Sequence, residues 1–580
     1  MKHFNLILIK PTHYDDDGYV IQWLRSAMPA NSLAALYALA QDCDQRKVLG
    51  RDVEMHLWAA DETNTRIRPE KLARKIQDQG GKGLVALVGV QSNQYPRALD
   101  LAKRFRELGV QVCIGGFHVS GCLAMLPNIP PELQEALDLG ISLFAGEAEG
   151  RLETVLKDAW NEQLQPIYNF MDDLPSLENI PTPFLSTRQV KHTAGRQTSF
   201  DAGRGCPFLC SFCTIINVQG RKSRHRSADD VERIITSNLS QGINRFFVTD
   251  DNFARNRNWE PILDRLIALR KVHHFNLFLQ VDTMCHRIPR FIEKAGAAGV
   301  KRVFIGLENI DEDNLLLIKK KQNKLSEYRA TFLAWKHVGV FTLAGYIVGL
   351  PNDTPESVIR NVETIKRELP VDLLEFFFLT PLPGSQDHKL LHEKGTYMDP
   401  DLNKYDLSHT VTAHSRMSAA EWETTYRKCW DVYYSDEHVE TLMRRAHACG
   451  INPKRVMESA AWFYGSVLAE GVHPLEAGIL RRKFRKDRRP GLPIESPLVF
   501  YPRRVTEFLS THWTLGRLLW KYNRMQRAIR SDPSSGAYRD QTITAGYEGS
   551  LTAADMGPTA PGSTGDRLRE RESKGRIGVG

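Results

Sequence analysis

The chain has 580 residues, of which 42% are hydrophobic and 25% charged, and its formal net charge is +8. At roughly 100–200 residues per domain this length predicts two to four domains. The composition excludes collagen-like, fully disordered and disulfide-scaffold proteins, and nine cysteines are too sparse for a secreted disulfide framework. The start of the chain has no signal-peptide pattern, and no run of about 18 uncharged apolar residues indicates a membrane span. We therefore expect a cytoplasmic protein.

Residues 1–160 alternate short apolar runs with helical periodicity and predict a first domain. Strands are expected at Phe4–Ile9, Val53–Trp58, Leu84–Val90, Val110–Ile114 and Ile141–Ala145. Nearly continuous apolar strands joined by amphipathic helices indicate an α/β fold with a doubly wound, flavodoxin-like parallel sheet. In open sheets of this kind a ligand binds at the carboxyl ends of the strands.

Residues 161–194 contain four prolines and are expected to form a linker. A second series of strands and helices follows over residues 195–414, with strands expected at Thr198–Ala202, Arg245–Thr249, Asn276–Val281, Arg302–Leu307, Phe341–Val348 and Leu374–Leu379. Six such units predict a partial or full (βα)6 barrel whose working face lies at the strand carboxyl ends. Residues 415–530 predict a helical region rich in basic and aromatic side chains. Residues 531–580 carry nine glycines and predict a disordered tail.

The segment Cys206-Pro-Phe-Leu-Cys210-Ser-Phe-Cys213 is the most informative motif of the chain. Three thiolates at this spacing can hold three corners of an iron–sulfur cube, which leaves the fourth iron open to another ligand. The alternative is a structural zinc site, which normally closes with four ligands. His225 is the nearest candidate for that fourth ligand, but its spacing does not match a zinc knuckle. The motif favours the cluster.

With other motifs, this loop resembles the radical S-adenosylmethionine (SAM) superfamily over about residues 195–390. The loop follows the first predicted barrel strand, and further motifs lie at the ends of later strands: Asp250-Asp251-Asn252, Gly306-Leu307-Glu308-Asn309, Gly349-Leu350-Pro351 and Pro381-Leu382-Pro383-Gly384. The resemblance implies a 4Fe–4S cluster on Cys206, Cys210 and Cys213 that binds SAM and cleaves it to a 5'-deoxyadenosyl radical.

The resemblance also implies roles for residues around SAM. Phe212 would lie against the adenine, and Glu308 would meet the ribose hydroxyls unless it forms an ion pair at the barrel rim. Asp250 and Asp251 replace the Gly-Gly-Glu motif that contacts the methionine amine in many members. Gln280 and Asp282, at the end of the third predicted strand, are weaker candidates.

Residues 84–150 resemble the cobalamin-binding domain that precedes the barrel in one branch of this superfamily. The resemblance rests on segments around Ser92, Gly115-Gly116-Phe117-His118-Val119-Ser120 and Gly146-Glu147-Ala148-Glu149-Gly150, and it implies that Ser92, Gly115, Gly116, His118 and Ser120 contact cobalamin. Glycine allows the close approach of a corrin and its nucleotide tail, so Gly116→Val is expected to block binding. The Asp-x-His-x-x-Gly signature of a cobalt-ligating histidine is missing, and His118 fits a role in ordering its loop better. The alternative is a flavodoxin-like module without a cofactor.

These resemblances imply an enzyme that methylates an unactivated carbon of a small-molecule or lipid substrate, with a reductant such as flavodoxin or ferredoxin. A cobalamin-dependent or cobalamin-free cyclase or rearrangement enzyme remains an alternative. The non-enzyme alternative is a scaffold protein with a structural cluster or zinc.

Residues 481–489 contain seven cations in nine positions, followed by aromatic side chains. A run of this kind is usually a solvated face. It also allows a peripheral contact with anionic lipid at the inner face of the membrane. No RNA-binding fold accompanies it, so nucleic acid is the less favoured partner. The acidic run Asp15–Asp17 is expected to be a solvated turn, with a substrate role as the alternative.

Overall fold

The computed structural model describes residues 2–544, and its N-terminal part is built on one parallel sheet of six strands. In chain order the elements are β1 (Lys2–Lys10), β2 (Gln22–Ser26), α1 (Asn31–Gln45), β3 (Val53–Asp61), α2 (Pro69–Asp78), β4 (Gly83–Leu87), α3 (Tyr95–Glu107), β5 (Gln111–Gly115), α4 (Phe117–Met125), α5 (Pro131–Asp138), β6 (Ser142–Ala145), α6 (Leu152–Trp160) and β7 (Ile167–Asn169). The strand order β3-β1-β4-β5-β6-β7, with parallel pairing throughout, confirms the predicted doubly wound sheet.

The alternation of side chains along β1 shows why this sheet is covered on both faces. Phe4, Leu6 and Leu8 belong to one apolar cluster, whereas Ile7 and Ile9 belong to the cluster on the opposite face. Successive side chains of a strand point to opposite faces, so a strand that is apolar at every position needs helices on both sides. The sheet also extends past residue 160. Strand β7 lies inside the segment that we predicted to be a linker, and it pairs with β6.

The second part is a six-stranded parallel barrel sheet with strand order β15-β14-β13-β12-β11-β8. Its elements are α7 (Thr187–Val190), β8 (Thr198–Phe200), β9 (Gly203–Arg204), α8 (Ile215–Val218), β10 (Arg224–His225), α9 (Ala228–Leu239), β11 (Arg245–Val248), α10 (Trp259–Arg270), β12 (Asn276–Val281), α11 (Phe291–Ala297), β13 (Val300–Glu308), α12 (Glu312–Leu317), α13 (Leu325–His337), β14 (Phe341–Val348), α14 (Pro355–Glu368), β15 (Leu373–Phe378) and α15 (Gln386–Glu393). The six predicted barrel strands are confirmed. The short hairpin of β9 and β10 leads into and out of the cysteine loop.

The C-terminal helices share one apolar core with the barrel. They are α16 (Ala419–Tyr433), α17 (Asp436–Ala448), α18 (Pro453–Gly465) and α19 (Pro497–Ser531), with β16 (Gly478–Arg482) before the last helix. The indole Nε1 of Trp422 on α16 donates a hydrogen bond to the Val348 carbonyl over 3.1 Å. A Cβ at Gly349, whose φ is +98°, would lie 1.9 Å from the Trp422 ring. This glycine is therefore needed for α16 to pack on the barrel.

Two further contacts of the C-terminal part differ from the sequence prediction. Strand β16, in a region predicted to be helical, pairs antiparallel with β2 of the N-terminal part. Residues 531–544, which we assigned to a disordered tail, pack on the helices, and Asp540 lies 2.6 Å from Arg445 of α17. The ion pair supplies a contact that the low apolar content of this segment did not predict. The remainder of the predicted tail, residues 545–580, lies outside the described residues.

Among residues 2–544, no helix combines the length and the apolar composition that crossing a bilayer requires.

Candidate active site between the two sheets

The loop that carries Cys206, Cys210 and Cys213 follows β9 directly. Cys210 is buried and the other two thiols are half-buried. The Cys213 amide donates to the Cys210 carbonyl over 3.2 Å, and the Cys206 amide donates to the Gly220 carbonyl over 3.2 Å. Burial raises the pKa of the Cys213 thiol to about 12, and the neighbouring Asp251 adds to the shift. A bound cation is needed to stabilise the thiolate form of such a group.

The separation of these thiols argues against a zinc site. Sulfur ligands lie about 2.3 Å from zinc, so two sulfur atoms on one tetrahedral zinc are roughly 3.8 Å apart. Within the described residues, the groups of three or more ligand atoms lying within 4.8 Å of one another do not include these cysteines. His225, the candidate fourth ligand, lies 3.9 Å from Glu178 instead. A wider spread of three sulfur donors fits the corners of an iron–sulfur cube.

A buried ion pair between Glu308 and Lys320 lies beside the cysteine loop. The Lys320 nitrogen is 5.8 Å from the centre of the Phe212 ring. Burial opposes the charge of Lys320, but Glu308 and Cys210 outweigh it and raise the lysine pKa. Glu308 has a φ of +62°, a strained conformation of the kind that concentrates at functional sites. The ion pair given above as the alternative for Glu308 is therefore present, with Lys320, a partner that the sequence did not indicate. Lys320 contacts Oε1 of the carboxylate, so the other oxygen, Oε2, remains the candidate acceptor for a ligand.

The two aspartates at the end of β11 have different surroundings. Asp250 accepts hydrogen bonds from the Ala202 amide over 2.7 Å and from Asn256 Nδ2 over 3.0 Å, so its carboxylate holds the end of the first barrel strand. Asp251 instead lines the central cavity. Burial raises the pKa of Asp251 to about 7, and the charge of Asp250 adds to this. Of the two predicted residues, Asp251 is the one that faces a ligand space. Asp282, a weaker candidate after β12, forms an ion pair in which its Oδ2 lies 2.7 Å from Arg255 Nε.

A cavity of about 1070 Å³ lies between the carboxyl ends of both parallel sheets. Its wall combines loops of the N-terminal sheet with the barrel and the C-terminal part, and it includes Lys10, Gly89, Gln91, Gly115, Gly116, Ser120, Gly146, Phe247, Asp251, Phe278, Gln280, Phe304, Phe377, Trp462 and His473. The wall continues between the N-terminal sheet and helices α1 and α6, where it is formed by Leu36, Leu39, Ala86, Cys113, Phe144 and Leu152. We call this apolar extension the tail slot, because its position and lining suit the nucleotide tail of a corrin.

Three of the five residues predicted to contact cobalamin, Gly115, Gly116 and Ser120, line this cavity. A Cβ added at Gly116, whose φ is +150°, would lie 2.1 Å from the Val90 amide nitrogen. The backbone of the loop itself therefore requires this glycine, and Gly116→Val would disrupt the loop before it filled any ligand space. Ser120 Oγ accepts a hydrogen bond from the Gly146 amide over 3.0 Å and so joins two loops of the cavity wall.

Ser92 and His118 contact each other inside the N-terminal domain and are not part of the cavity wall. Ser92 Oγ lies 3.2 Å from His118 Nδ1. The imidazole is fully buried, packs 4.5 Å from the Tyr95 ring and has Nε2 3.6 Å from Glu132. These contacts give both residues a structural role, because all sides of the imidazole are occupied by the protein. The loop-ordering role expected for His118 agrees with these contacts, and a contact of Ser92 or His118 with cobalamin stays a prediction.

The segment Gly146–Gly150, which resembles a cofactor loop, joins the two domains instead. Arg204 of β9 lies 2.7 Å from Glu147, 2.6 Å from Glu149 and 3.2 Å from Asp201. All of these side chains are nearly buried. Burial opposes ionisation of Glu149, but Arg204 outweighs it and lowers the carboxyl pKa. We call this group the Arg204 cluster. The cluster connects the N-terminal sheet to the barrel across the cavity.

A second polar group at the cavity comes from three distant parts of the chain. His13 Nε2 lies 3.4 Å from Glu476 Oε2, and the ligand atoms of His13, Asp406 and Glu476 lie within 4.8 Å of one another. Asn93 donates to Glu476 over 2.9 Å. Burial lowers the pKa of His13 to about 4 and raises the pKa of Glu476 well above its usual value. The imidazole is therefore neutral at physiological pH, and the group offers hydrogen bonds to a ligand in the cavity.

Part of the basic stretch 481–489 packs against the acidic turn Asp15–Asp17. Arg481 and Lys483 lie 2.9 Å and 3.0 Å from Asp15, and their side chains are only 7% and 8% exposed. Arg489 lies 2.7 Å from Asp401. Asp15 neutralises Arg481 and Lys483, so these two cations do not form the expected solvated face. A lipid contact of residues 481–489 stays a prediction.

Comparison with known proteins finds similarity to one family model and to several characterised enzymes. Residues 202–365 match the model of the Radical SAM superfamily. The bacteriochlorophyllide d C-8(2)-methyltransferase of Chlorobaculum tepidum is 27% identical over 395 residues, which are 64% of this chain and 81% of the relative. The hopanoid C-2 methylase of Rhodopseudomonas palustris is 25% identical over 402 residues, 68% of this chain and 73% of the relative.

Two solved structures share the fold over most of the chain. One is the radical SAM methyltransferase TsrM of Kitasatospora setae with cobalamin and a 4Fe–4S cluster bound, which is 15% identical, has a TM-score of 0.51 and covers 90% of this chain and 100% of its own. The other is the cobalamin-dependent SAM radical enzyme OxsB with aqua-cobalamin and SAM bound. It is 11% identical, has a TM-score of 0.51 and covers 94% of this chain and 82% of its own.

Proposed function

Because residues 202–365 form a radical SAM domain, we propose that this chain is a cobalamin-dependent radical SAM methyltransferase acting on an unactivated carbon. The observation that carries the proposal is the shared cavity, whose wall contains Gly115 and Ser120 of the N-terminal sheet together with Asp251 and Gln280 of the barrel. The carboxyl ends of both parallel sheets are the places where such folds bind ligands. The relatives and the shared fold support the same conclusion.

The cysteine loop, Phe212, Asp251 and Glu308 are proposed to form the SAM side of the cavity. When bound, a 4Fe–4S cluster on the three cysteines supplies the electron for SAM cleavage, and cobalamin supplies the methyl group. Asp251 accepts a hydrogen bond from the methionine amine, and Glu308, fixed by Lys320, accepts from the ribose hydroxyls. A low-potential protein such as flavodoxin or ferredoxin is the proposed reductant.

The tail slot is proposed to receive the nucleotide end of cobalamin. Its wall combines small side chains, Ala86 and Cys113, with apolar ones, Leu36, Phe144 and Leu152. An apolar slot between the sheet and its helices favours the flat base of the tail over water. The side chains that line it belong to the strands and helices that form the domain, so the slot exists before the cofactor binds.

The substrate is proposed to be a lipid or a natural-product-like molecule with a large apolar surface. The barrel side of the cavity presents the rings of Phe247, Phe278, Phe304 and Phe377. Binding sites are usually apolar with a few placed polar groups that fix the ligand's orientation. Here His13 and its carboxylate partners take that polar role.

The ratio of two products tests the reaction type. Methylation through cobalamin consumes two SAM molecules per turnover, one leaving S-adenosylhomocysteine and the other leaving 5'-deoxyadenosine with methionine. We expect equal amounts of S-adenosylhomocysteine and 5'-deoxyadenosine when anaerobically reconstituted protein turns over in an extract that contains its substrate. Formation of 5'-deoxyadenosine alone, with corrin bound, would contradict methylation and indicate the cyclase class.

A further inference from the structure

Helix α19 carries an apolar stripe on its solvent side. Leu498 is 87% exposed, Trp513 69% and Trp520 66%. Between and beside them lie Val499, Tyr501, Val505, Phe508 and Leu509, all exposed. The stripe recurs every three or four residues, which places it on one side of the helix. The residues that pack on the protein, Phe500, Leu518, Tyr522 and Ile529, lie on the opposite side.

This arrangement differs from an ordinary surface helix, whose outer side is polar. Exposed apolar side chains continue into the segment before the helix, where Leu492 is 42% and Ile494 is 55% exposed. Single exposed apolar residues are normal, but a contiguous apolar patch indicates a surface that binds another protein or a membrane. We call the exposed residues of α19 the outer stripe.

Positive charge accompanies the outer stripe. The helix contains seven cations, Arg503, Arg504, Arg517, Lys521, Arg524, Arg527 and Arg530, against one acidic residue, Glu507. Arg503 and Arg504 pair with Glu495 and Glu507. In the described part of the chain, Arg517, Arg527 and Arg530 are exposed and lie in no ion pair. The C-terminal half of the helix therefore presents uncompensated cations next to Trp513 and Trp520.

We propose that α19 docks the protein on the surface of an anionic lipid bilayer. A helix with aromatic and aliphatic side chains on one side and arginines beside them lies in the plane of the membrane interface, with its apolar side among the headgroups and upper acyl chains. Tryptophan and tyrosine prefer this depth. Each basic residue near an anionic leaflet adds electrostatic attraction.

The charge of the helix favours lipid over a second copy of the chain. A symmetric dimer through the outer stripe would bring two strongly cationic helices together, and like charges at an interface oppose association. An anionic bilayer instead satisfies both the apolar side chains and the arginines. The start of the helix also contacts the N-terminal domain, where Phe500 packs 5.5 Å from the ring of Tyr19. Docking is independent of the proposed reaction.

Sedimentation of the full-length protein with vesicles tests the proposal. We expect binding to vesicles of phosphatidylcholine with phosphatidylglycerol at low salt, and weaker binding at high salt, since salt screens surface charge. Vesicles of phosphatidylcholine alone should bind less. The double variant Trp513→Ser/Trp520→Ser should lower partitioning by at least about tenfold, because two interfacial aromatic anchors are lost. Arg527→Gln/Arg530→Gln should lower binding to the anionic vesicles only.

Val272→Ser provides the matched control, since Val272 is 75% exposed but lies on the barrel, after α10. It should bind vesicles like the unaltered protein. Iron content after reconstitution should be equal in all variants, because the altered side chains are exposed. The proposal is overturned if the full chain does not bind anionic vesicles, or if the tryptophan variant binds them equally. It is also overturned if light scattering shows a dimer that Trp513→Ser/Trp520→Ser converts to a monomer, since the stripe would then join two copies.

Discussion

The two sides of the cavity were predicted from different kinds of motif, a single cysteine loop on the barrel side and glycine-rich segments on the N-terminal side. On the barrel side, the cysteine loop, Phe212 and Glu308 lie together, and Asp251 lies between the loop and the cavity. On the N-terminal side, Ser92 and His118 contact each other and do not line the cavity. A motif confined to one short loop brings its side chains together by itself. The side-chain positions of glycine-rich and acidic motifs on separate loops depend on how those loops pack.

The Arg204 cluster is the clearest case. Glu147 and Glu149 belong to a segment that resembles a cofactor loop, but in the folded chain they receive an arginine from the barrel. A buried carboxylate is costly without a partner, so Arg204 compensates the charge of these two side chains, which also line the cavity. The same residues therefore contribute to the cavity by aligning its sides.

The largest effect is expected for substitutions in the cysteine loop, on the barrel side of the cavity. Cys206→Ala, Cys210→Ala or Cys213→Ala should abolish both iron–sulfur cluster content and SAM cleavage, because two thiolates leave the cluster exposed and labile. Iron and sulfide analysis with a SAM cleavage assay measures this after anaerobic reconstitution. Cys449→Ala, which removes a half-buried thiol from the end of α17, should change neither property. Bound zinc and no iron in the unaltered protein would contradict the assignment.

Arg204→Met tests whether the two sides are held together by the buried ion pairs. Removing one partner of a buried pair costs about 3–5 kcal/mol, because it leaves the carboxylates of Glu147 and Glu149 unpaired in the interior. Urea unfolding measures the loss. Arg265→Met removes an arginine from an exposed pair with Asp229 and Glu232 and should change stability little. Equal effects of the two substitutions would show that the interdomain pairs add no stability.

The tail slot gives the sharpest test of the N-terminal side. Ala86→Leu adds volume to the slot and should weaken hydroxocobalamin binding by at least about tenfold, because the added side chain occupies space that the ligand needs. Ala86→Ser keeps the size of the side chain and is the matched control. Both affinities are measured by titration of the corrin spectrum. Equal affinity of Ala86→Leu and the unaltered protein would exclude the slot as the tail site.

The smallest expected effect concerns a surface ion pair between His409 and Asp16 of the N-terminal domain. Hydrogen bonds that the His409 imidazole donates to Asp16 and then to Asp406 raise its pKa to about 10. The unfolded chain loses this proton near pH 6.5. The stabilisation is therefore complete below pH 6.5 and is lost as the pH rises to about 10. It should amount to about 1 kcal/mol or less, since Asp16 is largely exposed.

Urea unfolding of the unaltered protein and of His409→Asn over this pH range measures that contribution. The difference in unfolding free energy between the two proteins should shrink as the pH rises. A difference that stays constant with pH would show that the protonated imidazole does not link Asp16 of the N-terminal domain to the barrel.

Most of the fold could be predicted from the sequence, because its signals are local. The continuous apolar runs Phe4–Ile9 and Phe341–Val348 determine strands that are buried on both faces, and the alternation of such runs with amphipathic helices determines parallel sheets. The spacing of Cys206, Cys210 and Cys213 likewise determines three sulfur donors on one loop. In these cases, neighbours along the chain are also neighbours in space.

Tertiary structure alone decided which distant residues meet. His13 and Glu476 approach to 3.4 Å, and β2 pairs with β16, although hundreds of residues separate the partners. The sequence by itself determined that residues 481–489 are cationic, but the fold decided that Asp15 neutralises Arg481 and Lys483 and that the outer stripe of α19 stays exposed. The physical reason is that charge and periodicity are properties of a segment, whereas the burial and pairing of a side chain depend on the surface that packs against it.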